Sequence, residues 1–141
     1  TVPNTIVLYG ANGGICRIMP KSVALPFSGS AKAIHMLSGV AGWGFPYGNN
    51  NSVAMTVRLH YADGETEDHD LLNGQHFADY IKRVDVPKSQ FAFDLNGRQI
   101  RYLTVSPKRD AAISEIELVK GPDVSAPVVM AITVESAAAK H

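Results

Sequence analysis

The chain is poor in the residues on which chemistry is usually built. A single cysteine, Cys16, rules out an internal disulfide, a Cys-x-x-Cys redox pair and a thiolate zinc site. Cys16 is therefore expected as a small buried apolar group. Thirteen basic residues balance thirteen acidic ones, and neither sign gathers into a block. That balance excludes the cationic footprint of a nucleic-acid groove or an anionic membrane surface. No apolar run approaches the ~20 residues that cross a bilayer as a helix, so membrane insertion is not expected. Gly-x-Ser-x-Gly and His-Glu-x-x-His are both missing. Gly10-Ala-Asn-Gly-Gly14 lacks the Lys-Ser/Thr of a phosphate loop and is expected as a turn. Helical spacing is equally scarce. Phe77, Tyr80, Ile81 and Val84 alone recur at it, which predicts one short helical turn near 75–82.

What the chain does have is period-two alternation. Strand-like runs at 5–9, 22–27, 33–37, 53–61, 65–71, 90–94, 100–107, 113–120 and 128–135 are separated by Gly, Pro, Asn and Asp. Eight or nine such strands predict an all-β fold, an antiparallel β-sandwich of the jelly-roll type. In the strongest run Val53, Met55, Val57, Leu59 and Tyr61 point to one face and Ala54, Thr56, Arg58 and His60 to the other. The first set is the predicted core face. Tyr61-Ala-Asp-Gly64 closes this run into a hairpin with the next. A glycine bulge at Gly64 sets Arg58 opposite Asp68 and Met55 opposite Leu71, matching charge with charge and apolar with apolar. A plain two-residue turn would set Leu59 against Asp68, so the bulged register is expected. Further along, Phe91, Phe93 and Leu95 alternate, and Ile116 and Leu118 point away from Glu115 and Glu117. The nearly continuous apolar run 128–134 suits a strand buried on both faces.

Three groups of residues carry candidate chemistry. The segment 38–51 sets Trp43, Phe45 and Tyr47 among glycines and ends in Asn49, Asn50 and Asn51. Aromatic faces stack on sugar C–H surfaces and planar amides bond to hydroxyls, so Trp43, Tyr47, Asn49, Asn50 and Asn51 are the expected ligand-binding residues. Trp43 and Phe45 suit the closed end of a sandwich core better than an open platform. His60, His69 and His76, with Glu65, Glu67, Asp68 and Asp79, have metal-ligand chemistry but no compact ligand spacing. The bulged register puts His60 and His69 on opposite faces, so no shared ion is expected. Calcium asks only for loop carbonyl and carboxylate oxygens, and a structural calcium is the one cofactor the sequence allows. Acid pairs such as Asp63 and Asp79 arise by chance in any domain, and catalysis is not expected. Arg83, Arg98, Arg101, Lys108 and Arg109, at turns and strand ends, are expected on solvated faces.

The run Val57-Arg-Leu-His-Tyr-Ala-Asp-Gly-Glu-Thr-Glu-Asp-His-Asp-Leu-Leu-Asn-Gly-Gln-His-Phe-Ala-Asp-Tyr80, with the later runs 83–87, 91–95, 101–107 and 113–123, resembles the galactose-binding-like β-sandwich modules of large secreted bacterial proteins. The likeness is greatest to accessory domains of planctomycete multidomain proteins, and more distant to carbohydrate-binding modules joined to glycosidases. It covers about residues 22–135. The resemblance implies a hairpin at Tyr61–Gly64, an element at Asn73–Tyr80 wrapping back over the sheet edge, and ligands held by loops at one end, here 39–51. No sugar-binding residue transfers by it, because such modules use different loops for different ligands.

The expectation is thus one sandwich domain over 1–135 with a frayed tail over 136–141. It is expected to act as a non-catalytic accessory module, binding carbohydrate weakly through its end loops. Protein–protein interaction, interdomain packing or oligomerisation is the alternative, so the expected partners are a glycan or neighbouring domains of a longer chain. The start at Thr1, without an initiator methionine or a signal peptide, points to a processed protein or a module of a larger extracytoplasmic one.

Overall fold

The computed structural model describes residues 4–12, 14–41 and 51–137. Among these, nine antiparallel strands are β1 (Ile6–Val7), β2 (Ser22–Gly29), β3 (Ala31–Ala41), β4 (Val53–Tyr61), β5 (Thr66–Leu72), β6 (Gln90–Leu95), β7 (Arg98–Val105), β8 (Ile113–Lys120) and β9 (Ala126–Ser136). They form two sheets, ordered β1-β9-β3-β7-β6 and β2-β8-β4-β5. Every connection crosses between sheets except the hairpins β4–β5 and β6–β7. The result is a jelly-roll sandwich with β6 added at one edge. All nine strands expected from the alternation are present.

The predicted inner face of β4 is the centre of the core: Met55, Val57 and Leu59 are fully buried, and Tyr61 is 2% exposed. They share one apolar cluster with Ile34 and Met36 of β3, Leu103 and Val105 of β7, and Ile116 and Leu118 of β8. Each such side chain removed from water stabilises the fold by about 1.5–3 kcal/mol. The hairpin takes the bulged register, with Arg58 opposite Asp68 and Met55 opposite Leu71. Gly64 makes it possible at φ 90°, its N–H donating to Tyr61 O at 3.0 Å while Tyr61 N–H donates to Glu65 O at 2.8 Å. Arg58 then grips Asp68 with two hydrogen bonds of 2.8 and 2.9 Å.

Several expectations are revised. Residues 74–76 form a hydrogen-bonded turn rather than a helical one, because Phe77 is drawn fully into the core and Asn73 bridges to Phe77. Among the described residues the helical element is the 3₁₀ turn Ile15–Ile18. The segment 73–80 leaves β5 at the edge of the four-stranded sheet and crosses to the five-stranded one. It wedges between the ends of β3 and β7, with Tyr80 N–H donating to Val40 O at 3.2 Å and Gln99 N–H to Tyr80 O at 2.9 Å. In β6 the alternating Phe93 and Leu95 are 39% and 43% exposed, so that strand's apolar row looks outward. In β9 burial on both faces holds near its start, at Ala126 and Pro127, whereas Ala131 and Thr133 are exposed. That strand runs through Ser136, and Ala137 N–H donates to Ser30 O at 3.0 Å.

Arg101 departs furthest from expectation. It points inward from β7 and is 2% exposed. Its guanidinium reaches Ser89 Oγ and Ser89 O at 2.7 Å each, Val84 O at 3.2 Å and Gln99 Oε1 at 3.2 Å. A planar fork of five donors can hold a loop by its carbonyls in this way, and it ties residues 84–89 to the sheet.

Candidate functional site

A groove of about 350 Å³ opens on the face of the five-stranded sheet that turns away from the core. Its floor is Gly39 and Ala41 of β3, Ile100 of β7 and Val128 and Met130 of β9. These are the outward residues of strands whose inward neighbours Val40, Leu103 and Val129 lie in the core. Val7, Ile15 and Cys16 wall one side and Leu95, Arg98 and Tyr80 the other. Sequence and packing explain this concavity. Gly39 carries no side chain, and a Cβ there would lie 3.4 Å from Tyr80 Cβ. The wedged segment 79–80 can therefore lie close and stand the Tyr80 ring at the wall, with the Arg98 guanidinium 4.8 Å from its centroid. Cys16 is 8% exposed, so it is indeed buried, while Ile15 in the same lining is 70% exposed and Ile18, at the end of the same 3₁₀ turn, is 82% exposed. Large aliphatic side chains so open to water mark a surface that gains from being covered.

Of the expected ligand-binding residues, Trp43, Tyr47, Asn49 and Asn50 lie outside the described residues, as does Phe45. Asn51 is described: it is exposed, with φ 50°, two residues before β4. Ala41, where the chain leaves β3 toward that segment, lines the groove.

The histidines separate as the register required. His60 stands on the outer face of β4, with Nε2 2.8 Å from Glu117 Oε2 and 3.8 Å from Glu115 Oε1 of β8. His69 lies on the opposite side of the sheet against Glu67, which also accepts from Tyr61 Oη at 3.0 Å and Lys108 N–H at 2.9 Å. Burial, reinforced by Glu67, pushes the Tyr61 hydroxyl up to about 12. His76 Nδ1 accepts from Leu72 N–H at 2.9 Å, and burial lowers its pKa. The acids Asp63 and Asp79 have separate partners. Asp63 is bound by Arg109 at the hairpin tip, and Asp79 accepts from Ile81 N–H at 2.9 Å.

Two arrangements were not foreseen. On the outer face of the five-stranded sheet, His35 Nδ1 lies 2.6 Å from Tyr102 Oη and 3.2 Å from Thr104 Oγ1, and its Nε2 lies 3.1 Å from Glu135. Hydroxyl, imidazole and carboxylate stand in a row here, but on an exposed sheet surface rather than in a cleft. The second lies at the β8–β9 turn. Ala54 O, Gly121 O, Asp123 O and Asp123 Oδ1 surround Lys120 Nζ at 3.4, 2.7, 2.8 and 2.9 Å. Carbonyl and carboxylate oxygens are what a calcium ion requires. In this cage the lysine ammonium supplies the positive charge. Ser52 and Ser125 bond to the Asp123 carboxylate at 2.9 and 2.6 Å, and Asn73 joins them. Local pattern could not have revealed either group: His35 meets Tyr102, Thr104 and Glu135 only through the pairing of β3 with β7 and β9, and Ala54, Ser52 and Asn73 reach the Lys120–Asp123 turn from segments 50 or more residues away.

Compared with known proteins, the chain matches no family model, no curated protein and no solved structure.

Proposed function

We propose that this chain is a non-catalytic binding module whose recognition surface is the outer groove of the five-stranded sheet, and that its ligand is an apolar segment of a partner protein or neighbouring domain. The carrying observation is the lining: of the twelve described residues around the groove, Thr5, Tyr80 and Arg98 are the ones whose side chains carry polar groups apart from the Cys16 thiol. A saccharide presents hydroxyls on most of its edge and needs several converging donors and acceptors, which the described residues of this lining do not supply. Aliphatic side chains need only to leave water, at about 25 cal/mol per Å² buried. Ile15 and Leu95, both lining residues and both exposed, carry the apolar surface out to the rim.

Carbohydrate binding is the second reading, favoured by the three aromatics and three amides of residues 43–51, whose last member Asn51 is exposed. The module reading itself draws on the sandwich scaffold, which leaves recognition to one face or rim.

Titration of apolar peptides and of soluble and insoluble glycans against the chain tests the proposal, with Leu95→Glu and Tyr47→Ala beside it. Leu95 is 43% exposed, so the acidic variant folds and places a charge at the groove. Saturable peptide binding that Leu95→Glu abolishes supports the groove. Glycan binding that Tyr47→Ala abolishes and Leu95→Glu spares overturns it in favour of the second reading, and peptide binding indifferent to Leu95→Glu also overturns it.

A further inference from the structure

The outer face of the four-stranded sheet holds a cluster that the groove does not use. Glu115 and Glu117 lie two apart on β8 and so project to the same side, while His60 on β4 pairs in register with Glu115, and Arg58 with Glu117. One nitrogen and two carboxylate oxygens from these residues lie within 4.8 Å of one another. From these positions we propose that His60, Glu115 and Glu117 form a binding site for a divalent transition ion of the zinc class.

Three physical features carry this. Zinc holds nitrogen and oxygen ligands at about 2.0–2.2 Å in a tetrahedron, which sets ligand atoms roughly 3.3 Å apart. The separations here, 2.8 Å from His60 Nε2 to Glu117 and 3.8 Å to Glu115, bracket that spacing, so small side-chain rotations complete the geometry. The frame is stiff, because β8 and β4 are the two interior strands of their sheet, each hydrogen-bonded on both sides. Charge adds a third argument. Around His60 this face carries Glu115, Glu117 and Asp68 against, among the described residues paired with them, the one guanidinium of Arg58, which Asp68 already holds. A dication relieves that excess. The imidazole selects zinc, copper or nickel over calcium and magnesium, which prefer all-oxygen shells. His60 and its two partners are each between one fifth and about two fifths exposed, which leaves a coordination position open to solvent.

Zinc chloride titrated calorimetrically into the full chain at neutral pH tests the site, with His60→Ala, Glu117→Gln and the control His35→Ala, all checked for an unchanged β-sheet circular-dichroism spectrum. The expected result is one saturable site in the parent and in His35→Ala, weakened about tenfold or more in His60→Ala and in Glu117→Gln, with no competition from excess magnesium. The proposal is overturned if the parent shows no saturable binding, if magnesium displaces zinc, or if His60→Ala and Glu117→Gln bind zinc as the parent does.

Discussion

Replacing Lys120 by methionine would remove an ammonium from among four oxygens and leave the Asp123 carboxylate buried without its cation; the two side chains are 5% and 9% exposed. Burial alone pushes the Asp123 carboxyl up, and hydrogen bonds from Ser125, Lys120 and Ser52 outweigh it, holding the group below the usual carboxylate range. Loss of one member of a buried pair costs about 3–5 kcal/mol, so Lys120→Met is expected to lose that much stability in urea denaturation. A loss below about 1 kcal/mol would show the pair to be effectively solvated. At this scale the sequence was least legible. Lys120 ends a run of alternating residues and Arg101 sits beside an Asn-Gly turn, both ordinary places for solvated charge. Whether such a side chain lies in water or among carbonyls depends on which loop passes over it.

Individual elements were far more legible, because alternation and turn chemistry act over a few residues. The β4–β5 register followed from pairing Arg58 with Asp68, and the structure places them together. Two glycines test different parts of this element logic. Gly64 needs its positive φ but has open space around it, so Gly64→Ala is expected to cost about 1–2 kcal/mol of backbone strain. At Gly121 a Cβ would lie 2.0 Å from Val53 O, where β8 closes on the start of β4. Overpacking against backbone is relieved only by moving a strand, and Gly121→Ala is expected to cost more, about 3 kcal/mol. Thermal or urea denaturation of both variants checks the order, and the reverse order would mean that the β4–β8 approach yields easily. What the pattern misjudged was the environment of an element. The alternating Phe93 and Leu95 have the same signature whether the strand lies inside a sheet or, as β6 does, at its edge.

At the scale of the molecule, stability follows the summed titration of its carboxylates and of His76. Burial, with a smaller contribution from Lys88, holds the His76 pKa below 6.5, so the unfolded chain binds that proton more readily. Stability is therefore full above about pH 6.5 and falls as the pH drops below it. Asp63, Glu67, Asp68, Asp85 and Glu135, like Asp123, are held below the ordinary carboxylate range. Their contribution is present above about pH 4 and is lost as the pH falls through the folded values. Urea midpoints across the acid range are expected to fall in two limbs, with His76→Gln flattening the first alone; midpoints that rise on acidification would contradict both assignments. By itself the sequence determined a fold of eight or nine strands, the inward face of β4 and the hairpin register, since those depend on a two-residue period and on one glycine turn. Only tertiary structure decided the groove, the wedged segment at Tyr80, the Arg101 clamp, the Lys120 cage and the His60–Glu115–Glu117 cluster. The groove, the wedged segment, the Lys120 cage and the His60 cluster each bring together strands or loops from distant parts of the chain, and the Arg101 clamp depends on how residues 84–89 fold back over their own hairpin, so no local pattern encodes which groups will meet.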